Sequence, residues 1–354
     1  MAESDRTAEL TERIRDARAR QVKLAVFGSR SKSWCLANAE GELLAVTGHS
    51  GVIEYRPEEL VVTVRAGTPL ADLVELLAEH GQYLPFEPPR VGGGGTVGGA
   101  VAAGFAGPGR PWRGSVRDAV LGVEMLNGLG ERLVFGGQVM KNVAGYDLSR
   151  LQAGACGTLG VLLSVSLRLL PLPEVEETRV LRCTGEEAQK LVRGWSRSSL
   201  PVTATCHFAG RLNVRISGAD SPVRTAAASL GGERGGDALW KELRDRALPC
   251  FERRPGRTLW EIACPPAAAL PPADTGGDVG DGEECVVEWA GARRWWATHR
   301  PGGEVQAYAA GIDARALPAY AGPVLDGAVS ARLKRAFDPD NVLNPGIVDA
   351  DGAS

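Results

Sequence analysis

The residues best placed for chemistry in this chain are glycines accompanied by hydroxyls and cations. Gly28-Ser29-Arg30-Ser31-Lys32 closes an apolar run, VKLAVF (22–27), and VGGGGTVGGAVAAGFAGPG (91–109) crowds glycines around Thr96. Such density lets the main chain pass very close to another group. Consecutive exposed N–H groups form a concave anion site that needs no side chain larger than hydrogen. The bends 28–32 and 92–99 can thus converge on one pyrophosphate, with Arg30 or Lys32 adding a charge-assisted contact. Ordinary tight turns and solvated cations would use the same residues. G-x-G-x-x-G also occurs literally at Gly93, Gly95 and Gly98, with Asp118 twenty residues on, which raises a nicotinamide-binding Rossmann unit. That motif must leave a buried parallel strand, whereas Pro85, Pro88 and Pro89 precede it here and prolines remove ladder donors. The Rossmann reading therefore ranks last.

The elements that must hold these bends are legible around them. VKLAVF reads as a strand feeding the first bend. ELVVTVRAG (59–67) alternates as a strand, Thr68-Pro69 offers an N-cap and N1 proline, and Leu70, Leu73, Val74 and Leu77 share a helical face that Gly81 ends. AVLGVEML (119–126) and ERLVF (131–135) form a hairpin pattern, and LGVLLSVSLRLLPLP (159–173) a further strand, with Asp147 placed to cap a short helix. Residues 3–20 read as a mostly solvated helix with Leu10, Ile14 and Ala17 at helical spacing.

Beyond residue 174 the order becomes strand 178–184, helix 186–198, strands 202–208 and 211–217, helices 222–247 and strand 257–263. This βαββαβ order predicts a ferredoxin-like layer. Residues 264–284 lack periodicity and read as a mobile loop; 327–337 reads as a helix stopped by DPDNVLNPG.

At about 150 residues per domain, 354 residues imply two domains. Forty Lys and Arg against 43 Asp and Glu give a net charge of −3, so no global field exists to hold a nucleic acid. The seven cysteines (35, 156, 183, 206, 250, 264 and 285) include no C-x-x-C pair, against a disulfide framework, zinc site or iron–sulfur cluster. No apolar run reaches the roughly 18 residues of a membrane span and the start is charged, so no membrane insertion is expected. The expected location is cytoplasmic, or peripheral to the inner membrane through partners.

GGTVGGAVAAGFAGPGRPWRGSVRDAVLGVEML and VMKNVAGYDLSRLQAGACGTLGVLLSVSLRLLPLP resemble the FAD-binding domain of the vanillyl-alcohol oxidase/PCMH flavoproteins. More closely, KNVAGYDL, GTLGV, HSGVIEYRPEELVVTVRAGTPLADL and FDPDNVLNPG resemble the flavin-binding E-type subunits of glycolate oxidase. The resemblance implies an α+β fold: an N-terminal helix (1–21), then a PCMH-type FAD-binding domain (22–174) of two α+β subdomains, about 22–80 and 90–174. A short ferredoxin-like cap (175–326) follows, and a C-terminal helix and tail (327–354) pack back on the FAD domain. It implies non-covalent FAD, with Gly28, Ser29, Arg30, Ser31 and Lys32 as pyrophosphate loop and Pro88, Gly95, Thr96, Val97, Gly98 and Gly99 along the second wall. It further implies Gly114, Ser115 and Asp118 near the isoalloxazine or ribityl chain, and Gly157, Gly160 and Val161 at the adenine.

Ser29 and Arg30 stand where the family commonly has glycine, and Cys156 where it commonly has Glu. No histidine lies in 28–33 and Gly95 precedes Thr96, so neither usual covalent flavin link is supported. Oxidising a 2-hydroxy acid needs a base for the hydroxyl proton and a cation for the carboxylate. Related catalytic subunits draw these from a G-N-x-H block, and no Gly-Asn pair occurs here. His49 and His80 fall in the first subdomain, and His207 and His299 in the cap. His207 is a base candidate, Arg211 and Arg215 carboxylate candidates, and Trp295-Trp296 either an interface anchor or a half-buried pair; no catalytic residue is assigned. The leading expectation is the FAD-carrying subunit of a glycolate-oxidase-like complex, acting on a small 2-hydroxy acid with a second flavoprotein subunit and an iron–sulfur subunit as partners. The rivals are a self-sufficient FAD oxidoreductase and a cofactor-free scaffold.

Overall fold

A computed structural model describes residues 3–37, 39–137, 147–272, 284–321, 325 and 327–348. The chain divides into two units: residues 1–106, 114–172 and 321–354, and residues 107–113 and 173–320.

In the first unit, α1 (Thr7–Ala19) buries Leu10, Ile14 and Ala17 and turns its charges to water. β1 (Leu24–Phe27) runs parallel to β2 (Glu42–Ala45). Its other edge takes residues from far along the chain: Leu24 N donates to Val342 O and Asn344 N to Leu24 O. A five-stranded antiparallel sheet follows from β3 (Val52–Arg56), β4 (Val61–Arg65), β6 (Val120–Leu126), β7 (Arg132–Gly136) and β8 (Val161–Arg168), in the order β3-β4-β8-β6-β7. Central β8 is covered on both faces and buried along all but its last residue, with Ser166 paired to the Thr63 hydroxyl; edge β7 alternates exposed and half-buried residues. β5 (Gln82–Tyr83) pairs with β9 (Leu170–Pro171).

Leu70, Leu73 and Leu77 bury one face of α2 (Leu70–Glu79). The N-cap residue is Pro69 rather than Thr68, because the Thr68 hydroxyl exchanges hydrogen bonds with Gly51 N and O. α3 (Val97–Ala103) is capped by Thr96, whose Oγ1 accepts from Gly99 N at 3.1 Å. Near Asp147, Ser149–Gln152 form one 3-10 turn, and Ser149 Oγ donates to the Asp147 carboxylate. Residues 141–146, the first six of the KNVAGYDL block, lie outside the described residues.

In the second unit, β10 (Val175–Arg182), helix Gly185–Trp195, β11 (Val202–Phe208), β12 (Arg211–Gly218), helix Asp220–Leu230 and β13 (Glu233–Gly235) give the βαββαβ order. The strands align as β13-β10-β12-β11, all antiparallel. The fourth strand is thus β13, lying between two helices where the sequence shows one helical stretch, and not residues 257–263. Those belong to β14 (Thr258–Ala263), which opens a second half with β15 (Glu284–Glu288), β16 (Arg293–Thr298), helix Gly302–Gly311 and β17 (Arg315–Pro318). Its order, β15-β16-β14-β17, mirrors the first half, and β11 pairs with β15 to join both into eight strands.

Trp295 and Trp296 are neither an interface anchor nor half-buried. Consecutive strand residues face opposite ways, and each indole fills a separate buried cluster. Of the loop expected over 264–284, residues 264–272 are held: Arg294 donates to Ala268 O and Ala269 O, and Cys264 N to Ala292 O. Residues 273–283 lie outside the described residues. No described helix is long and apolar enough to cross a membrane.

Candidate functional site

The first unit holds a cleft where β1, the first bend, α3 and the start of β8 meet. It gathers Gly28, Ser29, Arg30, Ser31 and Lys32 with Thr96, Gly98, Gly99, Gly157 and Gly160. The first bend is the donor-rich wall. Among the described residues, the N–H groups of Gly28, Ser29, Arg30 and Ser31 donate to no other protein atom. Arg30 takes a left-handed backbone (φ +58°), the conformation glycine adopts most easily, and its guanidinium stacks 4.1 Å over the Phe27 ring. This conformation accounts for a glycine-rich pattern being workable here without glycine.

The second bend serves differently from the first. The Val97 and Gly98 N–H groups donate to Thr68 O and Ala66 O, and Gly99 N to Thr96, so the first turn of α3 presents no spare donor. Close packing explains Gly95, Gly98 and Gly99, whereas Gly92 and Gly93 stand in open space with left-handed backbone. A Cβ on Gly98 would stand 2.6 Å from that of Ala66, and one on Gly160 would meet Met125 Cε and the Leu126 carbonyl. Gly157 has φ +71°, and a Cβ there would lie 2.8 Å from Asn344 Nδ2.

Seven expected residues do not line this cleft. Pro88 is buried in the turn before the glycines. Gly95 faces Leu70 and accepts its N–H, while Val97 and Val161 point into the core. Gly114 packs on Asp118, whose carboxylate accepts from both Ser115 N and Ser115 Oγ at 2.8 Å, closing a local capping box. The G-x-G-x-x-G reading fails structurally too, since Gly93 ends a 3-10 turn and no strand feeds it.

Sequence reasoning missed several cleft residues. Gln152 and Cys35 stand with Cys156 on its wall. The Cys156 thiol is hydrogen-bonded to that of Cys35, and this contact together with burial pushes it well above the usual thiol range. It is a protonated packing thiol rather than a reactive one. Asn344 ties two walls together: Oδ1 accepts from Val26 N and Nδ2 donates to Cys156 O, both at 2.6 Å. Its loop is fixed by Lys334, which donates to Thr158 O and to Asp338, while Asp338 accepts from Val342 N and Leu343 N.

The cap-region candidates are committed elsewhere. His207 is buried and shares a 3.0 Å hydrogen bond with Cys183 O; His299 Nδ1 meets Gly256 O. Arg215 donates to Thr203 O and Oγ1, whereas Arg211 stands exposed at the start of β12.

Residues 2–136 match a family model described as an FAD binding domain. Over 358 aligned residues the chain is 38% identical to the glycolate oxidase subunit GlcE of Escherichia coli (strain K12), covering 99% of each protein. It is 33% identical over 140 residues to the glycolate oxidase subunit GlcD of Bacillus subtilis (strain 168), covering 39% of this chain and 30% of that one. A solved structure of alkyldihydroxyacetonephosphate synthase shares the fold, with a TM-score of 0.67 at 12% identity, covering 97% of this chain and 75% of that chain.

Proposed function

Because this chain belongs to the family of the glycolate oxidase subunit GlcE, we propose that it is the FAD-carrying subunit of a glycolate-oxidase-type oxidoreductase, acting on a small 2-hydroxy acid. The observation that carries the reading is the run of unclaimed N–H donors from Gly28 to Ser31, facing a cleft whose other walls are mostly small and aliphatic residues. Four adjacent donors suit the oxygens of a diphosphate. The group therefore fits the residues present, and bound FAD supplies hydride acceptance.

The chain's own part is to bind, orient and exclude water. Gly28–Ser31 would hold the diphosphate by main chain. Gly98 and Gly160 let α3 and the start of β8 close against Ala66 and Met125, and the aliphatic lining would exclude water once the cofactor fills the cleft. Among the described residues no cluster of three or more His, Cys, Asp or Glu is arranged to hold a metal. In this reading onward electron transfer falls to partner chains, as in the complex that the family resemblance implies: a second flavoprotein subunit presenting the substrate-binding cation and base, and an iron–sulfur subunit as acceptor. The expected location stays cytoplasmic, with any membrane contact through partners.

The test is the visible spectrum of the purified full chain before and after glycolate, alone and with its co-purified partners. A yellow chain bleached only in the complex is expected. A colourless chain that refuses added FAD even in the complex overturns the reading, and a lone chain bleached by glycolate defeats the division of labour.

A further inference from the structure

One polar group in the cleft is unaccounted for. Gln152 ends the 3-10 turn Ser149–Gln152 and lines the cleft at 2% exposure. Its Nε2 is buried with no hydrogen-bond partner, and no described residue donates to its Oε1. Turning the amide by 180° would put an unpaired oxygen in the same buried position, so either orientation calls for a partner. Buried polar side chains are overwhelmingly paired, and the exceptions need an explanation. Much of the surrounding lining is aliphatic, including Ala102, Ala103 and Leu162, and offers no polar atom of its own from those side chains.

The buried orphan is Nε2, which needs an acceptor; because a carboxamide carries its oxygen alongside, a partner that both accepts and donates satisfies the whole group. A phosphate offers acceptors only and would set its charge against the amide oxygen. A heteroaromatic edge offers both, and Gln pairs with the amino group and ring nitrogen of adenine in this way. We propose that Gln152 reads a heteroaromatic edge of the bound dinucleotide, its amide donating to a ring acceptor and accepting from the neighbouring N–H. Two parts of FAD carry such an edge, the adenine and the pyrimidine ring of the flavin. The inference rests on the FAD reading above and adds a residue that selects a base.

The experiment is calorimetric titration of the flavin-stripped full chain with FAD, ADP and FMN separately, for the parent, Gln152→Leu and Gln152→Met. The methionine variant matches the length of glutamine and guards against a folding defect in the leucine one. Both variants are expected to bind FAD about tenfold more weakly or worse, equivalent to about 1.4 kcal/mol. An equal loss for ADP with FMN unchanged supports the adenine edge, and the converse supports the flavin edge. Variants that bind FAD as tightly as the parent overturn the proposal, as does a loss for FAD shared by neither ADP nor FMN. A parent that binds none of the three overturns the FAD reading, and this proposal with it.

Discussion

Replacing Asn344 with Ala tests whether the tail organises the cleft. Asn344 sits in the left-handed region (φ +44°), where asparagine is tolerated better than alanine. Ala removes the 2.6 Å bonds to Val26 N and Cys156 O and strands both main-chain groups. At about 1 kcal/mol per bond, and about 1 kcal/mol more for alanine at positive φ, the cost is about 3 kcal/mol. Asn344→Gly loses the bonds without that backbone strain and should fall about 1 kcal/mol short of Ala. Asn344→Asp keeps an acceptor for Val26 N but sets a carboxylate oxygen against the Cys156 carbonyl, so it should do at least as much harm as Ala. The assay is urea unfolding by circular dichroism, with FAD retention measured by gel filtration. FAD should be lost from Asn344→Ala under conditions where it stays folded. A loss below 1 kcal/mol, or a folded variant that keeps its flavin as well as the parent does, would refute the reasoning.

Two further outcomes follow from the packing and from buried charge. Gly98→Ala should destabilise by about 1–3 kcal/mol, since its Cβ would press on Ala66, whereas Gly194→Ala, in open space near the end of helix Gly185–Trp195, should stabilise by about 0.5–1 kcal/mol; thermal melts of both check the sign. Burial, with some repulsion from Arg65, holds His49 below its ordinary 6.5 despite the pull of Asp5, and Nδ1 accepts from Arg6 N. Its stabilising contribution is therefore full above about pH 6.5 and lost as the pH falls from there through the lower folded value. Melting temperatures at pH 7.5 and 5.5 should drop more for the parent than for His49→Gln, and equal drops would exclude His49 as the cause.

The sequence showed most of what is local. β1, the 28–32 bend, α2 and the β6–β7 hairpin each carry their own periodicity and punctuation, so their positions follow from short windows. It failed where a distant group decided the outcome. Thr68 looks like an N-cap until Gly51 claims its hydroxyl. β13 is three residues, Glu-Arg-Gly, with no strand pattern, and it exists because β10 offers an edge. Trp295 and Trp296 look like a surface pair because nothing nearby says that both sheet faces are covered. Gln152 is an amide at the end of a short turn, a place with no motif, and only its burial singles it out.

The bonds from Val26 to Asn344 span 318 residues, so one wall of the cleft is contributed early in synthesis and its brace late. A nascent chain can form the β6–β7 hairpin as it emerges, but β1 must wait with one edge bare. An unpaired strand edge invites other strands. The wall built by β1 is therefore complete only once residues 342–344 have docked on it, and until then its free edge is open to mispairing.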